Sequence, residues 1–396
     1  MFEVIKIFNE ETCLKCGICL EQCPTIQMPI QKAKEEVIKM IETKTSEKII
    51  KECTGCGYCN IICPMGSNPI ELIREIRLKN YRENGVRGLG IISEEMPYNL
   101  MAIGFEIDKE QKQQQIIKYE NPPKCDTMFY LGCGISYFYQ ELAKTKLFED
   151  FPLLGGMKYC CSAYAYSCFG EEEGKIKGLE LYEKLKTLGI KKLITFCPGC
   201  DTMIRFTYPS IIEDFNIEAQ TVIDYFIEKY HKGEFKIKQK INKRIAFQDP
   251  CTWRRYDKKI YDGPREFLEI LGAEVVEMKY NRENSHCCGL PVSASSRAMG
   301  TKTAEERISE AENINADIIA HICTGCLSNL STYAIKKNIN SYYITELAQM
   351  AIGETPILNI FEKKKKTDAH LMKTIMENPN ILKEKYLIKN GKIVPL

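Results

Sequence analysis

The chain has 396 residues, of which 44% are apolar and 27% charged, with a formal net charge of +2. This balance is that of a soluble globular protein and excludes the basic footprint of a nucleic-acid binder or a polybasic membrane surface. No run reaches the roughly 18 apolar residues of a membrane span, and residues 1–7 lack the apolar core of a secretion signal, so a cytoplasmic location is expected, with any membrane contact made through a partner. The 396 residues are enough for two or three domains.

Twenty cysteines are the outlier. They cluster as C-x2-C instead of being spread as staples, which in a cytoplasmic chain points to metal ligation, not disulfides. Cys13, Cys16, Cys19 and Cys23-Pro24 read C-x2-C-x2-C-x3-C-P, and Cys53, Cys56, Cys59 and Cys63-Pro64 repeat the run. Two copies of this bacterial ferredoxin pattern predict two cubane 4Fe-4S clusters, and the fourth cysteine of each run serves the other cluster. Cys13, Cys16, Cys19 and Cys63 are therefore assigned to one cubane, and Cys53, Cys56, Cys59 and Cys23 to the second. Gly17, Gly55 and Gly57 allow the tight backbone turns that wrapping a cluster needs. A pair of zinc sites is the plainer alternative, but zinc has no use for a three-plus-one arrangement repeated in trans. Ala33, Val37, Ile38, Met40 and Ile41 recur at helical spacing between the runs, and residues 69–81 read as a second helix. The module is thus helical and resembles the iron–sulfur module of heterodisulfide reductase C subunits and of succinate-dehydrogenase-type iron–sulfur subunits.

Gly85, Gly88 and Gly90 break the helical pattern. Residues 1–95 are read as the first domain and 96–124 as a linker, within which the apolar residues 96–105 suit a packing strap. From 125 onward the chain repeats itself, as units 125–240 and 241–355. Short apolar strands lead into Gly132-Cys133 and Asp249-Pro250-Cys251, and Cys160-Cys161 answers to Cys287-Cys288. Two further strands run into Cys197-Pro198-Gly199-Cys200 and Cys323-Thr324-Gly325-Cys326. Cys323 follows Cys197 by 126 residues and Cys287 follows Cys160 by 127. Such self-similarity argues for duplication, and strands alternating with helices argue for parallel α/β units. Ligands of such units gather at the carboxyl ends of the strands, so each unit should bring five thiolates to one rim. One zinc ion or one cubane uses only four protein ligands.

Cys251, Cys287-Cys288-Gly289 and Cys323/Cys326 resemble the cysteine-rich "CCG" domain of heterodisulfide reductases. The helical module joined to two such domains, over residues 10 to about 352, resembles the heterodisulfide reductase D-subunit family. The resemblance implies an α/β fold: a helical bis-cluster ferredoxin domain followed by two duplicated α/β CCG units. It also implies a noncubane 4Fe-4S cluster on Cys251, Cys287, Cys288, Cys323 and Cys326, which would be the catalytic set. The first unit has its own five, Cys133, Cys160, Cys161, Cys197 and Cys200, but Ser162 replaces the glycine after the pair. Its first gap is also 26 residues against 35. A second noncubane cluster, zinc or an empty site all stay open there. Cys125 and Cys168 lie outside the pattern and read as buried free thiols.

No G-x-G-x-x-G follows a strand, so neither flavin nor nicotinamide is expected in this chain. Electrons would come from a donor subunit: a flavoprotein, hydrogenase, formate dehydrogenase or membrane cytochrome. By resemblance the substrate is a small-molecule disulfide, the coenzyme M–coenzyme B heterodisulfide. Its sulfonate and phosphate would suit Arg254, Arg255 or Arg297. His286 and His321 are candidate proton donors beside structural alternatives. The alternative function is the iron–sulfur subunit of a flavin-dependent glycerol-3-phosphate, glycolate or lactate dehydrogenase; a non-catalytic electron-transfer scaffold is a third. Residues 356–396 carry a lysine run, 363–366, expected to be solvated, a short amphipathic stretch and a strand-like end, suited to partner docking.

Overall fold

The computed structural model describes residues 7–396 except Pro97, Tyr256, Asp257 and Ala294, together with the side chains of Arg255 and Lys258. Arg255, named above as an anion ligand, therefore lies outside the described side chains.

The first module is helical, as expected. Helix Ile30–Thr43 buries Ala33, Val37, Met40 and Ile41. These positions fall on one stripe of a 3.6-residue repeat; Ile38, which the sequence pattern included, falls off it and is exposed. Helix Glu47–Glu52 is capped by the Ser46 hydroxyl, which accepts from the Ile49 amide. Helix Pro69–Asn84 starts with proline in its first turn and ends at Gly85 with φ 65°. Its Ile70, Leu72, Ile73 and Ile76 meet the first helix in a single core.

Two four-stranded parallel sheets follow. In the first the spatial order is Leu153–Gly155, Thr127–Leu131, Lys192–Thr195, Glu218–Thr221. In the second it is Glu274–Val275, Arg244–Phe247, Ile318–His321, Asn340–Tyr343. The strand order is the same in both, so the duplication seen in the cysteine spacing is a duplication of topology. The longer gap of the second unit holds helix Asp262–Ile270 where the first has only short 3-10 turns between residues 140 and 148. The two units share one apolar core: Phe129, Ile194 and Phe226 from the first pack with Phe247, Phe267 and Tyr343 from the second. Phe226 and Phe267 stack with ring centroids 5.8 Å apart.

Residues 100–106 and 109–120 are helical. Gly104 lets the first of these helices press on Phe138, since a Cβ there would lie 2.2 Å from the ring. The tail folds back on its own chain. Helix Ile360–Glu377 extends well beyond the short stretch legible in the sequence, and strands Lys385–Lys389 and Lys392–Pro395 form a hairpin paired with Val86–Arg87. The lysine run is not uniformly solvated. Lys363 is buried and its ammonium meets Asp108 at 3.2 Å and Glu141 at 2.8 Å. Among the described residues no helix is long and apolar enough to cross a membrane.

Candidate metal centres

Each parallel sheet delivers its cysteines to the carboxyl ends of its strands, the position the α/β rule assigns to ligands. Cys133 and Cys197 come just after Leu131 and Thr195, and Cys251 and Cys323 just after Phe247 and His321. Within each unit the five thiols form one continuous file of sulfur contacts. In the second unit the file is Cys251, Cys287, Cys288, Cys326, Cys323. In the first it is Cys133, Cys160, Cys161, Cys200, Cys197, the same order at equivalent positions.

The serine that distinguishes the first unit leaves this geometry intact. Ser162 takes the left-handed conformation at φ 50°, as Gly289 does at φ 85°. The Ser162 amide donates to the Cys160 sulfur at 3.4 Å, and the Gly289 amide donates to Cys287 at 3.4 Å. Glycine is needed only at the second position, where a Cβ would lie 2.6 Å from the Gly300 carbonyl oxygen.

The N-terminal cysteines approach one another across the two runs. Cys63 lies in the field of Cys13 and Cys19, and Cys23 in that of Cys53, Cys56 and Cys59. Cys13, Cys16, Cys19 and Cys63 line a single small cavity. Burial pushes Cys19 up to about 12 and Cys53 up to about 11. Such thiols become thiolates only against a strongly positive centre. Within the five-thiol files, hydrogen bonds from neighbouring sulfurs pull Cys161 down to about 6 and Cys323 to about 7. Soft sulfur donors this crowded and this buried fit an iron–sulfur core. Among the described residues no three His, Cys, Asp or Glu side chains converge as one metal ion requires.

The four sets stand in line. Cys19 of the first crossed set reaches the field of Cys59 in the second. Cys56 packs against the apolar cluster that holds Cys287 and Cys288 and bears on Cys251. The Thr54 hydroxyl bonds the Cys287 sulfur. Cys323 in turn faces Cys197 across the interface between the units. Tyr343 fills the space beside both and donates its hydroxyl to the Phe196 carbonyl. Helix Gly132–Tyr137 closes on Thr324: a Cβ on Gly134 would meet its Oγ1 at 2.5 Å.

Other residues singled out in the sequence take different roles. Arg254 donates to the carbonyls of Cys56 at 2.7 Å, Glu283 at 2.9 Å and Ser285, and lies over the Tyr58 ring. It is a strut between modules, not a free anion ligand. Arg297 is exposed at the start of helix Arg297–Asn313. His286 stacks on Tyr280 at 3.7 Å, and burial with Arg307 and Arg254 nearby holds it down at about 4. His321 is fully buried and held down at about 3. Burial thus disfavours the charged imidazolium at both. Cys125 contacts the Thr127 carbonyl, and Cys168 lies near Arg77; both stand outside the files. Thr54, Arg77 and Tyr343 escaped sequence reasoning, because nothing local in the chain marks them as neighbours of a cluster.

The comparisons agree with this layout. Residues 5–64 match the 4Fe-4S dicluster domain, and residues 127–205 and 245–331 each match the cysteine-rich domain. Fold and sites together define an iron–sulfur oxidoreductase that joins a dicluster module to a duplicated cysteine-rich domain. Within that class the chain is similar to heterodisulfide reductase D subunits. It is 24% identical to the D subunit of the dihydromethanophenazine:CoB–CoM heterodisulfide reductase of Methanosarcina mazei, over 88% of this chain and 95% of that one. It is also 28% identical to the probable iron-sulfur-binding oxidoreductase FadF of Bacillus subtilis and 22% identical to the EtfAB:quinone oxidoreductase of Syntrophomonas wolfei. The chain spans about half of each of these last two, 47% and 48%.

Proposed function

We propose that this chain is the catalytic subunit of a disulfide reductase complex and that its substrate is the coenzyme M–coenzyme B heterodisulfide. The observation that carries the reading is the line of four thiol sets, which ends in two equivalent five-thiol sites facing each other. Cys13, Cys16, Cys19 and Cys63 would hold one cubane, and Cys53, Cys56, Cys59 and Cys23 the other. Cys251, Cys287, Cys288, Cys323 and Cys326 would hold a noncubane 4Fe-4S cluster. The first unit repeats the same file, which supports a second such cluster on Cys133, Cys160, Cys161, Cys197 and Cys200; zinc there is the alternative. When bound, these clusters supply one-electron transfer and an iron surface with affinity for sulfur.

The chain's own residues do the rest. Thr54 and Cys56 join the second cubane loop to the site at Cys251. Tyr343 and the Gly134–Thr324 contact keep water out from between the two files. Arg297 is the exposed cation available to an anionic arm of the substrate. In the overall reaction one S–S bond breaks, two electrons and two protons are taken up, and two thiols leave. The similarity to the D subunit of a reductase supports a partner that donates the electrons and can bring the chain to a membrane.

A second reading has its own support in the matches to FadF and the EtfAB:quinone oxidoreductase. There the chain would relay electrons for a flavin-dependent dehydrogenase of glycerol-3-phosphate, glycolate or lactate and cleave no disulfide. Anaerobic disulfide reduction with reduced viologen separates the two. The reductase reading expects turnover in the wild type and its loss in Cys288→Ser. Undiminished turnover in that variant, or none in a fully iron-loaded wild type, refutes it.

A further inference from the structure

The two cubane loops are held in different ways. The second, residues 53–59, lies between two arginines from separate elements. Arg77, on helix Pro69–Asn84, donates to the Cys53 carbonyl. Its guanidinium reaches the loop at Gly55, where a Cβ would be 2.7 Å from Nη1. Arg254 donates to the Cys56 carbonyl at 2.7 Å, and its Cδ is the nearest atom, at 4.0 Å, to a Cβ built on Gly57. Gly55 thus makes room for the Arg77 guanidinium, while at Gly57 the Arg254 side chain is in ordinary contact only.

The first loop has no such clamp among the described residues. Lys15 occupies the position of Gly55. Its ammonium lies 3.9 Å from the Glu10 carboxylate, with the two side chains 44% and 55% exposed, so its charge reaches Cys13 from a partly solvated and paired position. Gly17, the counterpart of Gly57, abuts backbone instead: a Cβ there would lie 2.8 Å from the Lys34 amide nitrogen.

Reducing a cluster adds negative charge. A fixed cation beside it favours the reduced form, and does so more strongly where water is scarce. The acceptors of both arginines at the loop are neutral carbonyls, which orient the guanidinium without cancelling its charge. Cys53 and Cys59 are buried while Cys13 and Cys16 are partly exposed, and burial alone would make the second cluster the harder to reduce. The arginines oppose that.

We propose that Arg77 and Arg254 are positioning residues that raise the reduction potential of the cluster on Cys23, Cys53, Cys56 and Cys59 relative to the one on Cys13, Cys16, Cys19 and Cys63. Electrons then settle beside the five-thiol site at Cys251. This rests on the cluster assignment proposed above and adds a direction of flow to it. Arg254 also lies in the field of Cys251 and Cys287, so the same charge draws the electron on toward the reacting site.

The test is an EPR-monitored redox titration of the anaerobically purified full chain as the wild type and as Arg77→Gln, Arg254→Gln, Arg77→Lys and Arg254→Lys. Cys16→Ser identifies which signal belongs to the first set. Each Gln variant is expected to move the midpoint of the second cubane to more negative potential while the first stays put, and each Lys variant, which keeps the charge, to restore most of it. Iron and acid-labile sulfide are measured alongside, so that a shift is read only from loaded protein. The two arginines sit on different elements and are tested independently. Unmoved midpoints in loaded Gln variants overturn the inference, as does an equal shift of both cubanes. A wild type without two cubane signals overturns the cluster assignment itself.

Discussion

Gly289→Ala tests how the second five-thiol site is built. Gly289 has φ +85°, and a Cβ there would sit 2.6 Å from the Gly300 carbonyl, 3.2 Å from Thr303 Cβ and 3.4 Å from the Gly300 carbonyl carbon. An L-residue in the left-handed region costs about 1–2 kcal/mol. Overpacking against backbone that cannot swing aside adds about 1–3 kcal/mol. The expected loss is therefore about 2–5 kcal/mol, concentrated on the turn that carries Cys287 and Cys288. Ser162→Gly is the internal control. The backbone there already tolerates a side chain at φ 50°, and relief of strain is offset by about 0.5–1 kcal/mol of chain entropy. Anaerobic guanidinium denaturation with iron counted per chain reads both. Gly289→Ala should lower the midpoint and shed iron, and Ser162→Gly should do neither. A Gly289→Ala chain with wild-type midpoint and full iron would refute the packing argument.

Three further outcomes are expected. Cys125→Ser and Cys168→Ser should keep the wild-type iron content while Cys197→Ser loses iron, as mass spectrometry of anaerobic protein would show; equal losses in all three would contradict the file of contacts in the first unit. Burial raises the Glu346 carboxyl to about 8, so the folded state holds a proton that the unfolded state releases near its ordinary 4.5. Stability should therefore fall as pH rises through the window between those values, and Glu346→Gln, which can still accept from the Tyr343 amide as Oε2 does at 2.8 Å, should flatten that slope in denaturation midpoints measured from pH 5 to 8. Arg307 is fully buried and bonds Gln248 at 2.6 Å, the Tyr280 carbonyl at 2.6 Å, Glu310 at 2.8 Å and Ser285 at 3.2 Å. Arg307→Ala strands those partners and should cost about 3–5 kcal/mol; a loss under 1 kcal/mol would mean that the network relaxes without it.

Local chemistry made much of the architecture legible. The four-cysteine runs announce themselves because wrapping a cluster takes fixed short spacings. The parallel units announce themselves because apolar strands run straight into cysteines at repeated offsets. Ser162 shows the limit of that reading: a missing glycine looks like a damaged turn, yet serine holds φ 50° there and its amide still reaches the Cys160 sulfur. The lysine run of the tail is hard to read because its partners are remote. Lys363 looks like solvated charge until Asp108 and Glu141, 255 and 222 residues away, close on it.

The order of the four sets lay furthest from view, and it bears most directly on function. It depends on Arg254 reaching a carbonyl 198 residues away at Cys56, and on Cys323 meeting Cys197 across a shared core. Neither contact leaves a periodic trace. Motif matching alone favours the second unit as the terminus, since its CCG is complete. The contacts link Cys56 to Cys251 of the second unit and Cys323 to Cys197 of the first, while helix Pro69–Asn84 also touches the first unit directly through Arg74 and Tyr166. Under the disulfide-reductase proposal, two copies that face each other would offer a two-sulfur substrate two similar surfaces. Loss of either file should then abolish disulfide cleavage, whereas a simple relay to an outside acceptor would survive loss of the file beyond it.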